Sequence, residues 1–449
     1  MEDRKGLPTQ GRLRKHLSAD ALLAALHRCF GAIKVPSKGK PTISVHDALM
    51  SAFAMMSLKD PSLLAFDRRR IAEEHNLRSI YHIKDILCDT QMRTRLDEVH
   101  SDWLRPAYKA LFRNAQRGKV LETMVFMDNC YLIALDGTGY FSSEKLYSPF
   151  CLEKTCSKSG KTLYHLQALG AAIIHPDRKE VIPLPPEFIC KQDGETKNDC
   201  ERNAARRWLH KFRKDHPHLK PIVTEDGLSP NAPHIRDLQA AQCHFILGVK
   251  QDDHKYLFQC FDAVVEKGEA VNQDMADPKN EKVRHFFRYA NGLPLNESNK
   301  DLLVNLMEYW EVGPEKTKFF SWVTDFSITK ENCYSIMRGG RARWKVENET
   351  FNTLKNQGYH LEHNYGLGEK YLSTVFFSLM MLAFLMDQLL QMSCPLFRAV
   401  RKKAGSKREL WEKIRSTFHL FLVESMEMIY RILLAGPQKI KPVFINDTS

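Results

Sequence analysis

Arg341-Ala-Arg-Trp-Lys-Val-Glu347-Asn-Glu-Thr-Phe-Asn-Thr-Leu-Lys355-Asn-Gln is the stretch on which the reading of this chain turns. Trp344, Phe351 and Leu354 recur at helical spacing and predict one apolar stripe facing a core. Glu347, three residues after Trp344 and four before Phe351, falls on that stripe. A carboxylate on a buried face must be paired, protonated or bound to a cation. Arg343, four residues earlier, is its expected neighbour on the helix surface. Glu349 shares its side with Lys345, Asn352 and Asn356 and reads as solvent-facing.

Two further acids stand earlier in the chain. Tyr131-Leu-Ile-Ala-Leu-Asp136-Gly and Lys220-Pro-Ile-Val-Thr-Glu-Asp226-Gly each close a short apolar run with an acid and then glycine. That is the pattern of a carboxylate at a strand's end. Three carboxylates on two strands and a helix form an oxygen donor set suited to Mg²⁺, which takes few protein carboxylates plus substrate phosphate. Two such ions can activate an attacking oxygen and stabilise a leaving one. Turn acids and a plain Arg343–Glu347 ion pair would explain each residue singly. The three in this element order favour the enzyme.

At these residues the chain resembles the insertion-sequence DDE transposases of the IS-four-like group, which have a ribonuclease-H-like core. The resemblance implies that Asp136, Asp226 and Glu347 are the catalytic metal ligands. Arg343-Trp-Lys-Val-Glu347 matches the family's Arg-x-x-x-Glu element. The family's Tyr, three before the Arg, falls here on Gly340, and its Lys, seven after the Glu, on Leu354. Lys355 lies one residue later, roughly 100° round the helix. The run Tyr359-His-Leu-Glu-His-Asn-Tyr-Gly366 is also similar to one subgroup, and the likeness spans residues 128 to 390.

The resemblance implies Mg²⁺-dependent cleavage and strand transfer of an insertion element, with Mn²⁺ as a substitute and no covalent protein intermediate. Its partners would be double-stranded DNA, at the element's terminal repeats and at the target, and a second copy of the chain. Arg343 and Lys355 would grip phosphate near the scissile bond, with Arg338, Arg341 and Lys345 as further phosphate contacts. A catalytically inactive DNA-binding descendant and a nuclease of the same fold carry the same residues and stand as alternatives.

Composition agrees with a nucleic-acid partner. Lys and Arg number 66 against 54 Asp and Glu, a net charge of +12. A basic balance favours a polyanion, nucleic acid first and a membrane surface second. The apolar fraction of 43% over 449 residues supports real cores, and about three units by length. Eleven scattered cysteines and a hydrophilic start suggest reduced thiols in a cytosolic compartment. The resemblance implies the cytoplasm of a bacterial-type cell, associated with the nucleoid. The one long apolar run, residues 371 to 386, is shorter than the ~18–20 residues of a spanning helix and reads as a buried core helix.

Along the chain, residues 1–120 read as a helical DNA-binding region. Its helices would start at Ser18 or Asp20, at Ser44 or Asp47, and at Asp89. Arg93 and Arg95 are offered to DNA from the last of these. Residues 121–250 carry apolar runs at 124–127, 131–135, 163–174, 180–184, 222–224 and 245–249, with helices at 199–212 and 232–241. The order predicts a mixed α/β sheet, the first part of the ribonuclease-H-like core. Residues 251–330 read as a β-rich insertion with a hairpin turn at Asn291-Gly292. Residues 331–395 are core helices carrying Glu347. Residues 396–449 form a helical C-terminal region whose amphipathic stretch 409–434 could serve a dimer.

Three other constellations stand out in the sequence. Cys151, Cys156 and His165 could belong to a zinc site, but the spacing is atypical and thiols in a hairpin loop are the plainer account. His360 and His363 are too sparse for a metal site. Of the insertion's tryptophans, Trp310 and Trp322, the resemblance implies that one stacks on a DNA base. Trp322, 25 residues before Glu347, is the better placed, with packing on a strand face as the alternative.

Overall fold

Strands alternating with helices in the middle of the chain form the mixed α/β sheet expected of them. The computed structural model describes residues 15–35, 43–157, 160–191, 199–226 and 230–436. The basic start, Gly227 behind Asp226 and the tail after Gly436 lie outside these residues.

Among the described residues six α-helices come first: α1 (Ala19–Gly31), α2 (Val45–Leu58), α3 (Leu63–Ala72), α4 (Glu74–Tyr81), α5 (Asp89–Leu96) and α6 (Arg105–Arg117). Ser18, Ser44 and Ser62 open the first three, each hydroxyl accepting a first-turn backbone N–H. Next are β1 (Tyr131–Ser143), β2 (Leu152–Thr155), β3 (Thr162–Ile174), β4 (Ile182–Ile189), α7 (Glu201–Asp215), β5 (Pro221–Glu225), α8 (Ala232–Ala240) and β6 (His244–Gly248). The insertion supplies α9 (Lys255–Glu266), β7 (Val271–Asp277), β8 (Asn280–Asn296), β9 (Asn299–Val312) and β10 (Thr317–Thr324). The chain closes with α10 (Cys333–Ala342), a π-helical turn (Val346–Phe351), α11 (Asn352–Asn356), α12 (Leu372–Ser393), α13 (Pro395–Ala404), α14 (Lys407–Leu420) and α15 (Met426–Ala435).

β4, β3 and β1 form an antiparallel meander, and β5 and β6 add on the other side of β1, parallel to it. The order β4-β3-β1-β5-β6 is that of a ribonuclease-H-like core. β10 pairs antiparallel with β6, so the insertion strands β10-β9-β8-β7 prolong the same sheet to ten strands. The run expected as a strand at 124–127 is instead two short 3₁₀ turns, Leu121–Met124 and Met127–Asn129, with a single bridge from Val125 to Tyr131.

Asn291-Gly292 is not the hairpin turn. It is a bulge inside β8, and the chain reverses at Asn296–Asn299. Asn291 exchanges two hydrogen bonds with the Ile328 backbone, and the Gly292 N–H donates to Asn305 Oδ1 at 2.9 Å. Bonds to the Ile328 backbone and to the Asn305 side chain on the facing strand thus override the local turn preference of Asn-Gly.

α12 is long and apolar enough to cross a membrane by length and composition, yet 83% of its most apolar window is buried inside the protein. It packs against α2 and β4, tying the N-terminal helices to the core. The amphipathic stretch expected as one helix is broken into α14 and α15. Asn76 of α4 accounts for the break: its amide donates to the carbonyls of Phe418 and Phe421 and accepts from the Val423 N–H. These bonds satisfy backbone groups that a continuous helix would have used itself.

Candidate active site

β1 and β5 pair in parallel from Tyr131–Pro221 to Ala134–Thr224. Asp136 and Asp226 each stand two residues past that last rung, Asp136 within β1 and Asp226 one residue beyond the end of β5, so both emerge at the same end of the parallel pair. Asp136 does not end its strand. β1 continues, paired through β3 with Asp136 opposite Gly170, and Asp136 marks the point where the pairing with β5 stops.

The stretch around Glu347 is not one regular helix. Past α10 the N–H groups of Arg343 and Val346 bond three residues back, to Gly340 at 3.3 Å and Arg343 at 3.0 Å. The turn Val346–Phe351 then widens, and the Asn352 N–H reaches five residues back to Glu347. This change of winding shifts the phase of every side chain. Val346, Thr350, Phe351 and Leu354 are buried, Glu349 is half-buried, and Glu347 and Trp344 are exposed. The regular period expected from the sequence had buried Glu347 and Trp344 and exposed Glu349. π-helical turns of this kind are often found at functional sites.

Glycine seats the turn. A Cβ on Gly170 would meet the Phe351 ring at 2.5 Å, so the ring rests directly on the backbone opposite Asp136. Glu347 thereby comes within electrostatic range of Asp136. Burial pushes the Asp136 carboxyl above its usual range, the Arg343 guanidinium opposes this, and the charges of Glu347 and Asp226 push it up further. Arg343 was expected beside Glu347; it donates instead from Nη1 to Asp136 Oδ2 at 3.1 Å. The Gly137 N–H donates to Asp136 Oδ1 at 2.9 Å.

A fourth carboxylate escaped the sequence reading. Glu201, in the first turn of α7, is raised by burial and by the charges of Asp136, Asp226 and Glu225. Its Oε1 lies where a Cβ on Gly137 would be, at 2.0 Å. The available signal was an acid in the first turn of the helix that leaves the end of β4, near the level of Asp136, and runs back to the start of β5. Beside it Glu225 and His234 form a buried pair at 3.0 Å. Burial opposes the imidazolium, but Glu225 outweighs it and holds the His234 pKa up.

Two cavities meet along Glu225 and Asp226. One, of about 470 Å³, is lined by Asp136, Glu201, Asp226 and His234. The other, of about 950 Å³, is lined by Asp226, Lys250, Arg341, Arg343 and Trp344. The remaining residues singled out in the sequence are placed as follows. Arg341 pairs with Glu311 and lies 4.8 Å from the Phe320 ring centre. Arg338 and Lys345 turn away to the β3–β4 connection, bonding Asp177 at 2.6 Å and the Arg178 carbonyl at 2.5 Å. Lys355 pairs with Glu362 at 2.9 Å. Arg93 pairs with Asp89 on its own helix, and Arg95, largely buried, with Glu98.

Trp322 is only 5% exposed and stacks parallel to Phe320 at 5.7 Å, so in this structure it offers no free face to a base. Its indole also fills the space beside Gly340, where a Cβ would come within 2.3 Å. That contact leaves no room for a side chain at position 340 unless Trp322 moves.

The donor set fits a hard divalent cation: several carboxylates, no thiolate, and enough mutual repulsion to favour a positive charge among them. Among the described residues, however, no three His, Cys, Asp or Glu side chains meet in a closed metal-binding geometry. This holds for the acids as placed, where Arg343 occupies one oxygen of Asp136, and equally for Cys151, Cys156 and His165.

No protein-family model and no curated protein matches the sequence. Among solved structures the chain is similar to the piggyBac transposase in the cryo-EM structure of its synaptic complex with hairpin DNA. The TM-score is 0.41 and the identity 11%, over 97% of this chain and 86% of that chain. A likeness this distant carries no functional argument.

Proposed function

We propose that this protein is a DNA transposase of the DDE type, of the IS-four-like kind that its Arg343–Glu347 motif resembles. The observation that carries the reading is that Asp136 on β1 and Asp226 just past β5 emerge at the same end of two adjacent parallel strands, with Glu347 brought toward them by the turn seated on Gly170. Asp136, Asp226 and Glu347, with Glu201 beside them, would hold Mg²⁺. Bound there, the ion would supply charge neutralisation and activation of the attacking oxygen in phosphoryl transfer.

The chain's own residues do the remaining work. Arg343 neutralises Asp136 and, on release to the substrate, can grip a phosphate oxygen in fork geometry. Arg341 and Lys250, on the wall of the larger cavity, add positive charge along a DNA backbone. A net charge of +12 makes binding steeply dependent on salt. Work on both ends of an element calls for two copies of the chain.

The Arg343–Asp136 pair also favours a second reading, a binding-only descendant in which the arginine permanently takes the cation's place. One experiment separates them. Duplex DNA carrying the ends of the element that encodes the protein is incubated with Mg²⁺ and wild type, Asp136→Asn or Glu347→Gln. The transposase reading expects cleavage by wild type alone, with gel-shift binding kept in all three. Binding without cleavage in Mg²⁺ or Mn²⁺ would establish the descendant instead.

A further inference from the structure

β2 and β4 lie end to end on the same edge of β3, and both run antiparallel to it. β2 therefore continues the line of β4. The last β4 rung pairs Ile189 with Gln167, and the first β2 rung pairs Leu152 with His165. Cys190, which follows Ile189, and Cys151, which precedes Leu152, step toward each other opposite Leu166. Two residues of strand span roughly 6.8 Å, which sets the separation of Ile189 and Leu152. Cysteines stepping inward from that spacing fall within the ~7 Å between Cα atoms that a disulfide can bridge.

Their side chains meet around one ring. Ile189 and Leu152 share the face of their partners Gln167 and His165, so the cysteines beside them turn to the Leu166 face. Tyr140 stands on that face, packed on Phe188 and Phe377. Burial pushes the Tyr140 hydroxyl far above its usual range, Ser373 opposes this, and Cys190 and Cys151 both push it further. Both cysteines carry thiols, and the two are not equivalent. Cys151 is 1% exposed, and its sulfur accepts the Ser148 N–H at 3.4 Å, with the Ser148 hydroxyl at 3.5 Å. Cys190 is only half-buried, so solvent reaches it first.

We propose that Cys151 and Cys190 form a dithiol modification site, oxidised to an intramolecular disulfide by small-molecule disulfides. The Cys190 thiolate attacks the small disulfide, forming a mixed disulfide as the small S–S bond breaks and one small thiolate leaves. The Cys151 thiolate then attacks the Cys190 sulfur and expels the second small thiolate. The two cysteine protons pass to the two expelled thiolates. Two electrons go from the cysteine pair to the small disulfide, whose halves end as thiols. In reducing surroundings the pair stays as thiols, and a rise in small disulfides closes it. The bond would join β2 to β4 along the β3 edge and fix the start of the connection that leads to α7. This chemistry is independent of whether the carboxylates cut DNA.

The test incubates the full-length protein with oxidised glutathione, alkylates the remaining thiols and maps disulfides by mass spectrometry without reduction. Wild type should yield the peptides linked through Cys151 and Cys190, and excess reduced glutathione should undo the link. Cys151→Ser should stop at a glutathione adduct on Cys190. Cys190→Ser should carry at least about 10-fold less adduct on Cys151, which is shielded by burial. Oxidised wild type should melt at a higher temperature than the reduced protein, because the bridge closes a loop in the unfolded chain. Neither variant should show that gain.

A glutathione adduct on wild-type Cys190 with no link to Cys151 would overturn the pair. So would a reaction at exposed Cys156 that leaves both Cys151 and Cys190 unmodified. A link that forms only in urea would show that the fold keeps the two sulfurs apart. Equal adducts on the remaining cysteine of the two variants would overturn the order of attack. The wild-type map decides the linkage even if a variant fails to fold.

Discussion

The Phe351 ring lies against the backbone of Gly170, 2.5 Å from where a Cβ would stand, and Gly170 is the residue paired across the sheet with Asp136. A side chain at 170 must push the ring away and the Glu347 turn with it. Gly170→Ala should cost about 1–3 kcal/mol by overpacking. It should also reduce Mg²⁺-dependent cleavage at least 10-fold in protein that still folds. Urea unfolding and a cleavage assay on the same preparation check this; stability lowered with cleavage unchanged would separate the Gly170 contact from the placement of Glu347.

Glu201 adds a negative charge to Asp136 and Asp226 without a hydrogen-bond partner among the described residues. Glu201→Gln should weaken the affinity of the site for Mn²⁺, read by calorimetry, by about 10-fold, the lower end of what supporting groups contribute around a metal. Unchanged affinity would place Glu201 outside the site.

Lys59 is fully buried and donates to Asp387 Oδ2 at 2.5 Å, with its ammonium 3.9 Å from the Trp411 ring centre. The Tyr359 hydroxyl donates to the same Asp387 oxygen at 2.6 Å. This cluster joins the C-terminal end of α2 to α12 and α14. Removing one partner leaves a buried charge, so Lys59→Met should destabilise by about 3–5 kcal/mol. Adding Asp387→Leu should recover much of the loss. Chemical denaturation of the single and double variants decides this, and strict additivity would contradict the coupling.

His216, packed on Phe112 and Phe212, is held down to a pKa of about 4, chiefly by burial. The unfolded chain titrates it near 6.5, so between these values the unfolded state binds more protons. The stabilising contribution of neutral His216 is complete above about pH 6.5 and is lost as pH falls toward 4. Its full size is ~3 kcal/mol. Stability measured from pH 7 to 5 should fall less steeply in His216→Leu than in wild type; parallel curves would show that His216 does not titrate in this window.

Much of the core was legible in the sequence because its signals are local. Short apolar runs alternating with one charged helix fix the strand order, and an acid followed by glycine marks each strand position. Local period failed where tertiary contacts override it. The winding from Arg343 to Phe351 depends on Phe351 finding Gly170, a contact between residues 181 positions apart that no helical wheel contains. Asn291-Gly292 reads as a turn in isolation and becomes a bulge through Ile328 and Asn305. Stretch 409–434 looked continuous until Asn76 captured its middle. Glu201 was overlooked because a first-turn helix acid ordinarily serves the helix itself.

The most direct test is Mg²⁺-dependent cleavage of element-end DNA by wild type compared with Asp226→Asn and Glu347→Gln, with binding followed in the same samples. The account predicts cutting by wild type and losses above about 100-fold in both variants, with affinity for the DNA kept within a few-fold. Cleavage that survives either substitution would contradict a catalytic centre built on these carboxylates.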